Sequence, residues 1–195
     1  RDLVRSRGLG DVYKRQGVEI AKEAAQYDMK VLLDFHYSDF WAEPAVQLVP
    51  KAWKKDVNNT EKMCSDVYDF TKESIQKFKD AGANIGMVQV GNEITNGLLG
   101  IYSNRDKGES FNVIWGDKKK STEVNKYLKA GIKAVREYTP QALVALHLET
   151  PNVWKYKTIM NTWKRDNVDY DVLGSSYYPF WSIAACLLYT SDAAD

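Results

Sequence analysis

The chain has 195 residues, 44% of them hydrophobic and 12% aromatic, with a formal net charge of +1. That describes a globular domain or part of one, and the charge balance gives no electrostatic case for nucleic acid or a membrane surface. Two cysteines make no disulfide framework, and no apolar run approaches the roughly 18 residues of a membrane span.

Residues 1–16 hold four Arg and one Lys with no clear period, and nothing there has the order of a signal peptide. Residues 183–195 complete neither a helix nor a strand. Both stretches resemble translated non-native flanks and are set aside from the fold reading; the alternative is a genuine basic arm and a genuine tail. The remainder, 17–182, reads as one partial domain.

Val18, Ala21, Ala24 and Ala25 form a helical stripe. A buried strand over 31–36 ends in polar residues and leads into a long aromatic loop with two prolines. Asn59 or Thr60 can cap the next helix, whose stripe is Cys64, Val67, Thr71, Ile75 and Phe78; Cys64 is read as a small core residue. Gly82 stands where a helix C-terminus wants glycine. A second apolar strand covers 85–91. Another long loop, 96–120, is followed by a helix capped by Ser121 or Thr122 and stopped by Pro140. A third strand covers 142–148, a helix opens at Asn152, and a fourth strand covers 171–176.

Helix and strand alternate with no hairpin signal, so the class is α/β with a parallel sheet. The loops after the first three strands are long and the loops before them short, which gathers function at the C-terminal rim. Val88-Gln89-Val90-Gly91-Asn92-Glu93 puts an amide and a carboxyl at that rim. A carboxylic acid between low-dielectric walls can hold its proton near neutral pH and act as a general acid; the plain alternative is a polar strand end facing water.

Side chains alternate along a strand, so Asp34 and His36 share a face, as do His147 and Glu149. The two histidines are the only ones in the chain, and both fall at strand ends. Asp34-x-His36 and His147-x-Glu149 resemble half-sites for zinc or iron. No His-x-His pair or cysteine set accompanies them, so no metal is expected, and imidazoles that orient a neighbour are preferred to direct chemistry. Tyr37, Trp41, Trp53, Trp115, Tyr177, Tyr178 and Trp181 lie in or beside the rim loops. Rings of this kind stack on apolar sugar faces, which suggests a carbohydrate groove. Trp41 and Trp181 are read as sugar platforms and Trp53 as core.

Three motifs, taken together, resemble glycoside hydrolase family 53, the endo-β-1,4-galactanases. They are Leu32-Leu33-Asp34-Phe35-His36-Tyr37-Ser38-Asp39-Phe40-Trp41-Ala42-Glu43-Pro44 with Pro50-Lys51-Ala52-Trp53 behind it, Val88 to Ile94, and Asp169 to Trp181. The likeness runs from about residue 18 to 182 and implies an internal fragment of a (β/α)8 barrel, strands three to six with their helices. It implies a retaining hydrolase of β-1,4-galactan and type I arabinogalactan, hence pectin degradation, with Glu93 as acid/base and Asn92 on the sugar 2-hydroxyl. His36, Asp39, Trp41, His147, Tyr177 and Trp181 would line the groove. The nucleophile strand has no counterpart here, and any calcium site of bacterial members would lie outside the chain; no cofactor is expected. The implied partner is a polysaccharide, with no nucleic acid or membrane, and the implied protein is a secreted monomer. Glu43 replaces the family's usual Asp, and Leu148-Glu149-Thr150-Pro151 follows His147 where the family tends to Leu-Asp, so a subsite there differs. A non-catalytic sugar-binding barrel, or a barrel hydrolase acting on another β-glycan, stays open.

Overall fold

The structure, a computed structural model, describes residues 2–178, with side chains from 14 onward. Trp181 and the 183–195 flank lie outside the described residues.

Helix α1 (Asp2–Ala25) leads to β1 (Val31–Phe35), then α2 (Thr60–Asp80) and β2 (Ile85–Val90). The long loop that follows holds β3 (Gly97–Leu98), β4 (Ile101–Tyr102) and a single helical turn, α3 (Asn112–Trp115). Then come α4 (Lys118–Tyr138), β5 (Leu143–Glu149), α5 (Val153–Arg165) and β6 (Val172–Ser176). The main sheet runs β1-β2-β5-β6, and every neighbouring pair is parallel. This is the architecture expected from the alternating pattern.

One face of the sheet carries the core. Leu33, Phe35, Val88, Val90, Val144, Leu146 and Leu148 are buried together with Met63, Val67 and Ile75 of α2 and Val124, Leu128 and Val135 of α4. Alternation then puts Asp34, Gln89, His147 and Glu149 on the opposite face, which leads up to the rim. Arg136 ties α4 to the entry of β6, with Nη1 2.8 Å from Asp171 Oδ2. The same oxygen accepts Val144 N–H at 2.7 Å. The guanidinium and that N–H hold the Asp171 carboxyl below the usual range, so this acid serves the sheet.

Two local expectations are corrected. The loop after β2 does contain a hairpin, the antiparallel pair β3–β4. Its two central residues, Leu99 and Gly100, have φ of 51° and 83°, the two-residue turn that matches strand twist. A Cβ at Gly97 would lie 2.0 Å from Ile101 O, so only glycine permits this pairing. Helix α4 also begins before Ser121: Asp117 is its cap and accepts Lys120 N–H at 3.0 Å, while Ser121 Oγ bonds back to Asp117 O inside the helix. Asn59 and Asn152 cap α2 and α5 as expected, each accepting an N–H at 3.0 Å, and Gly82 follows α2 with φ 81°.

Candidate active site

Strand β2 stops at Gly91, with φ 86°, and Glu93 has φ 47°. A non-glycine residue in the left-handed region is strained and needs surrounding structure to hold it. Here the holding groups are side chains of neighbouring strands and of the loop after β1. Asp34, at the matching position on β1, accepts Gln89 Nε2 at 2.6 Å through Oδ1. Its other oxygen lies 3.2 Å from His36 Nε2. His36 Nδ1 accepts Ala42 N–H at 2.9 Å. A backbone N–H can only donate, so the His36 ring proton sits on Nε2 and is given to Asp34.

Asn92 is oriented from both ends. Its Nδ2 donates to Ala42 O at 2.8 Å, and its Oδ1 faces Gln89 Nε2 at 3.2 Å and His147 Nδ1 at 2.9 Å. Glu93 N–H donates to His147 Nδ1 at 3.3 Å, Gln89 Nε2 lies 3.2 Å from the same atom, and Nε2 is 2.8 Å from Ser176 Oγ. Nδ1 accepts from Glu93 N–H in the tautomer that carries its proton on Nε2, and donates to Asn92 Oδ1 in the tautomer that carries it on Nδ1. Burial pulls the His147 pKa below its ordinary value against the opposing charges of Glu93 and Asp34, with His36 adding to the lowering. One hydrogen-bonded chain thus runs from His36 through Asp34, Gln89, Asn92 and His147 to Ser176, and Glu93 stands beside it. Its Oε1 accepts Tyr178 Oη–H at 3.3 Å.

Trp41 is 80% exposed, with Phe40 beside it, and Tyr177 and Tyr178 are also exposed. These rings flank the rim and are free to stack. Asp39 is exposed, but its Oδ2 accepts Lys51 N–H at 2.8 Å and so also ties its own loop together. Three aromatics of the rim loops belong to the core instead. Tyr37 is buried, with Oη 2.8 Å from Thr71 Oγ1. Trp53 packs against Tyr37 and Phe70. Trp115 is buried and donates Nε1–H to Thr95 O at 2.6 Å.

Glu149 does not join His147. Its Oε1 lies 3.6 Å from Lys155 Nζ, and burial pulls the Lys155 pKa down against the carboxylate that raises it. Among the described residues no group of three or more His, Cys, Asp or Glu is arranged to hold a metal ion.

The sequence reading missed Gln89 and Gln47 as site-building residues, and named Tyr178 only as a rim ring. Gln89 carries a visible signal, a lone amide inside an apolar strand. Gln47 carries none, because its loop has no period.

Residues 2–191 match the sequence profile of glycosyl hydrolase family 53. An endo-β-1,4-galactanase of Bacillus subtilis is 44% identical over 175 residues, which is 89% of this chain and 36% of that protein. An arabinogalactan endo-β-1,4-galactanase of Humicola insolens is 31% identical over 178 residues, covering 87% of this chain and 48% of that protein. Among solved structures, a family 53 catalytic domain of Ignisphaera aggregans superposes with a TM-score of 0.73 at 30% identity, over 86% of this chain and 42% of that one. A fungal β-1,4-galactanase gives 0.70 at 28% identity, over 88% and 49%. The chain therefore spans less than half the length of these relatives.

Proposed function

The chain belongs to glycosyl hydrolase family 53, its sheet is a run of parallel strands of that family's (β/α)8 barrel, and on this premise we propose that the longer protein is a retaining endo-β-1,4-galactanase. Its substrate is galactan or type I arabinogalactan, and the names of the Bacillus and Humicola relatives support that choice. The observation that carries the reading is Glu93: a carboxyl at the C-terminal end of a parallel strand, its backbone held left-handed beside Asn92 and His147. In barrel enzymes that end of the strands carries the chemistry.

In this reading Glu93 protonates the glycosidic oxygen as the bond breaks, then takes a proton from the water that releases the sugar. A second carboxylate, from a strand beyond this chain, would stand about 5–5.5 Å away and form the glycosyl-enzyme intermediate. Asn92, held by Ala42 and His147, binds the sugar 2-hydroxyl. Trp41 and Tyr177 supply stacking faces, with Trp181 a further candidate. His36, Asp39 and His147 complete the groove wall. The chemistry needs no cofactor. A polymeric substrate calls for secretion and places the enzyme in pectin degradation; we take it to work as a monomer.

The test is Glu93→Gln in the full-length protein. Losing the general acid–base should lower galactan turnover by about 10²–10⁴ and leave oligosaccharide binding intact. A galactoside with a good leaving group should suffer less in the first step, since it needs no protonation. Wild-type turnover of galactan by the variant would reject the assignment, and binding without hydrolysis in the wild type would favour a sugar-binding barrel.

A further inference from the structure

The turn after β2 is stitched to the loop after β1 by three side-chain amides. Asn92 Nδ2 donates to Ala42 O at 2.8 Å and Asn96 Nδ2 to Pro44 O at 3.0 Å. Gln47 works in the other direction, from the loop to the turn. Its Nε2 lies 2.9 Å from Asn92 O, 3.1 Å from Glu43 O and 3.4 Å from Glu93 O. Gln47 is 1% exposed, and its own backbone carbonyl accepts Gly100 N–H at 2.6 Å. Turning the amide over would press its oxygen against three carbonyl oxygens, so its orientation is forced. That orientation leaves Gln47 Oε1 buried without a partner.

A buried, unpartnered oxygen is costly, and an apolar side chain of the same length would fill the space without it. The chain carries the amide, so its NH2 group is what the position uses. That group grips the main-chain carbonyls of Asn92 and Glu93, which flank the Glu93 Cα, where φ is strained.

We propose that Gln47 is a positioning residue for Glu93, donating to the Asn92 and Glu93 carbonyls so that the left-handed backbone aims the Glu93 carboxyl at the glycosidic oxygen. The proposal rests on the acid/base role given to Glu93 above. A proton donor displaced by about an ångström loses rate on the order of 10²-fold without losing substrate binding.

The test uses the full-length enzyme with Gln47→Met, which keeps the volume and removes the donor, Gln47→Glu, and Glu93→Gln. Each is assayed on galactan and on an aryl β-galactoside with a good leaving group, with a thermal melt alongside. Gln47→Met should lower kcat on galactan by about 10²-fold with KM little changed, and should spare kcat/KM on the aryl substrate, which reports the first step alone and needs no protonation. In Gln47→Glu the ionised carboxyl cannot donate, while the protonated one donates a single hydrogen bond. Its galactan activity relative to wild type should therefore recover as pH falls. Equal losses of kcat/KM on both substrates, or wild-type kcat on galactan in Gln47→Met, overturn the proposal. If Gln47→Met does not fold, the pH profile of Gln47→Glu decides, and a flat ratio to wild type overturns the proposal. If Glu93→Gln hydrolyses galactan normally, the role of Glu93 falls and that of Gln47 with it. If Glu93→Gln is crippled and Gln47→Met is not, only the proposal for Gln47 falls.

Discussion

Asp34 and Gln89 face each other across β1 and β2, Oδ1 to Nε2 at 2.6 Å. A carboxylate can only accept, so this contact decides which end of the Gln89 amide points at Asp34 and, through it, what Asn92 and His147 meet. Asp34→Ala removes the acceptor of both Gln89 and His36. In the full-length protein it should cost about 1–3 kcal/mol of stability, the penalty of leaving part-buried donors unpaired, and lower galactan turnover as Asn92 loses its fixed orientation. Denaturant melts and galactan assays measure the two effects. Wild-type stability in the variant would mean that the chain of hydrogen bonds carries no energy.

Trp41 supports no core, being 80% exposed. Trp41→Ala in the full-length protein should therefore change stability by no more than about 0.5 kcal/mol while weakening galacto-oligosaccharide binding. A loss of about 3–5 kcal/mol is what a core ring would give. Thermal melting beside a ligand titration separates the two, and a large fall in melting temperature would reject the groove role.

The contrast between Trp41 and Tyr37 shows where sequence runs out. Both sit in the loop after the first strand, yet one is open and the other bonds Thr71 in the core. Which way a loop ring turns depends on α2, which the local sequence does not encode. The strands were legible because apolar runs alternate with helical stripes, and Asn92, Glu93, His36 and His147 were legible as polar residues at strand ends. The start of α4 was hidden because its first turn, Lys118 to Lys120, is wholly polar and gives no stripe. The β3–β4 hairpin was hidden because two-residue strands are too short to show alternation. Gln47 acts on residues 45 and 46 positions away, and no local pattern carries such a contact.

His147 makes stability depend on pH. Burial favours its neutral ring over the charged one, so its folded pKa lies below the ordinary value near 6.5. As pH falls past that value the unfolded ring takes up a proton that the folded ring refuses. The unfolded state then binds more protons and stability drops; above that range neither ring is charged and the contribution is flat. Glu93 and Asp34 face the ring and oppose the shift, and His36 reinforces it. His147→Gln should flatten the stability profile in the pH unit or so below about 6.5. Parallel profiles for variant and wild type would reject this account.

Gly131, inside α4, tests two opposed effects. Alanine in place of a helical glycine gains about 1 kcal/mol of propensity. Here the added Cβ would lie 2.6 Å from Tyr37 Oη and 2.9 Å from Val90 Cγ1. Neither atom can retreat easily, since both residues are buried and Tyr37 is hydrogen-bonded to Thr71. Overpacking typically costs about 1–3 kcal/mol, so Gly131→Ala should lower the melting temperature. A rise would mean that α4 can shift away from the sheet.

The same sheet face should respond oppositely to one substitution in two contexts. Among the described residues β1 pairs only with β2 and β6 only with β5, and the face opposite the helices leaves Leu32 52% and Leu143 45% exposed. In a closed (β/α)8 barrel that face is the packed interior, covered by the remaining strands. Expressed as these 195 residues, the chain presents open strand edges beside apolar side chains, a template for pairing with other copies. Whole domains hold only about 5–15 kcal/mol of stability, and a sheet lacking one of its two packed faces falls below that. The chain alone should self-associate and melt broadly. Leu32→Lys should reduce that association, because a charge on an exposed face opposes edge-to-edge pairing. In the full-length protein Leu32→Lys should instead destabilise, because it places an unpaired ammonium in a dry interior. Sedimentation and thermal melts of both forms, with and without the substitution, make the comparison. A monomeric 195-residue chain with a sharp cooperative transition, or a full-length variant as stable as its parent, would show that this face does not need the missing strands.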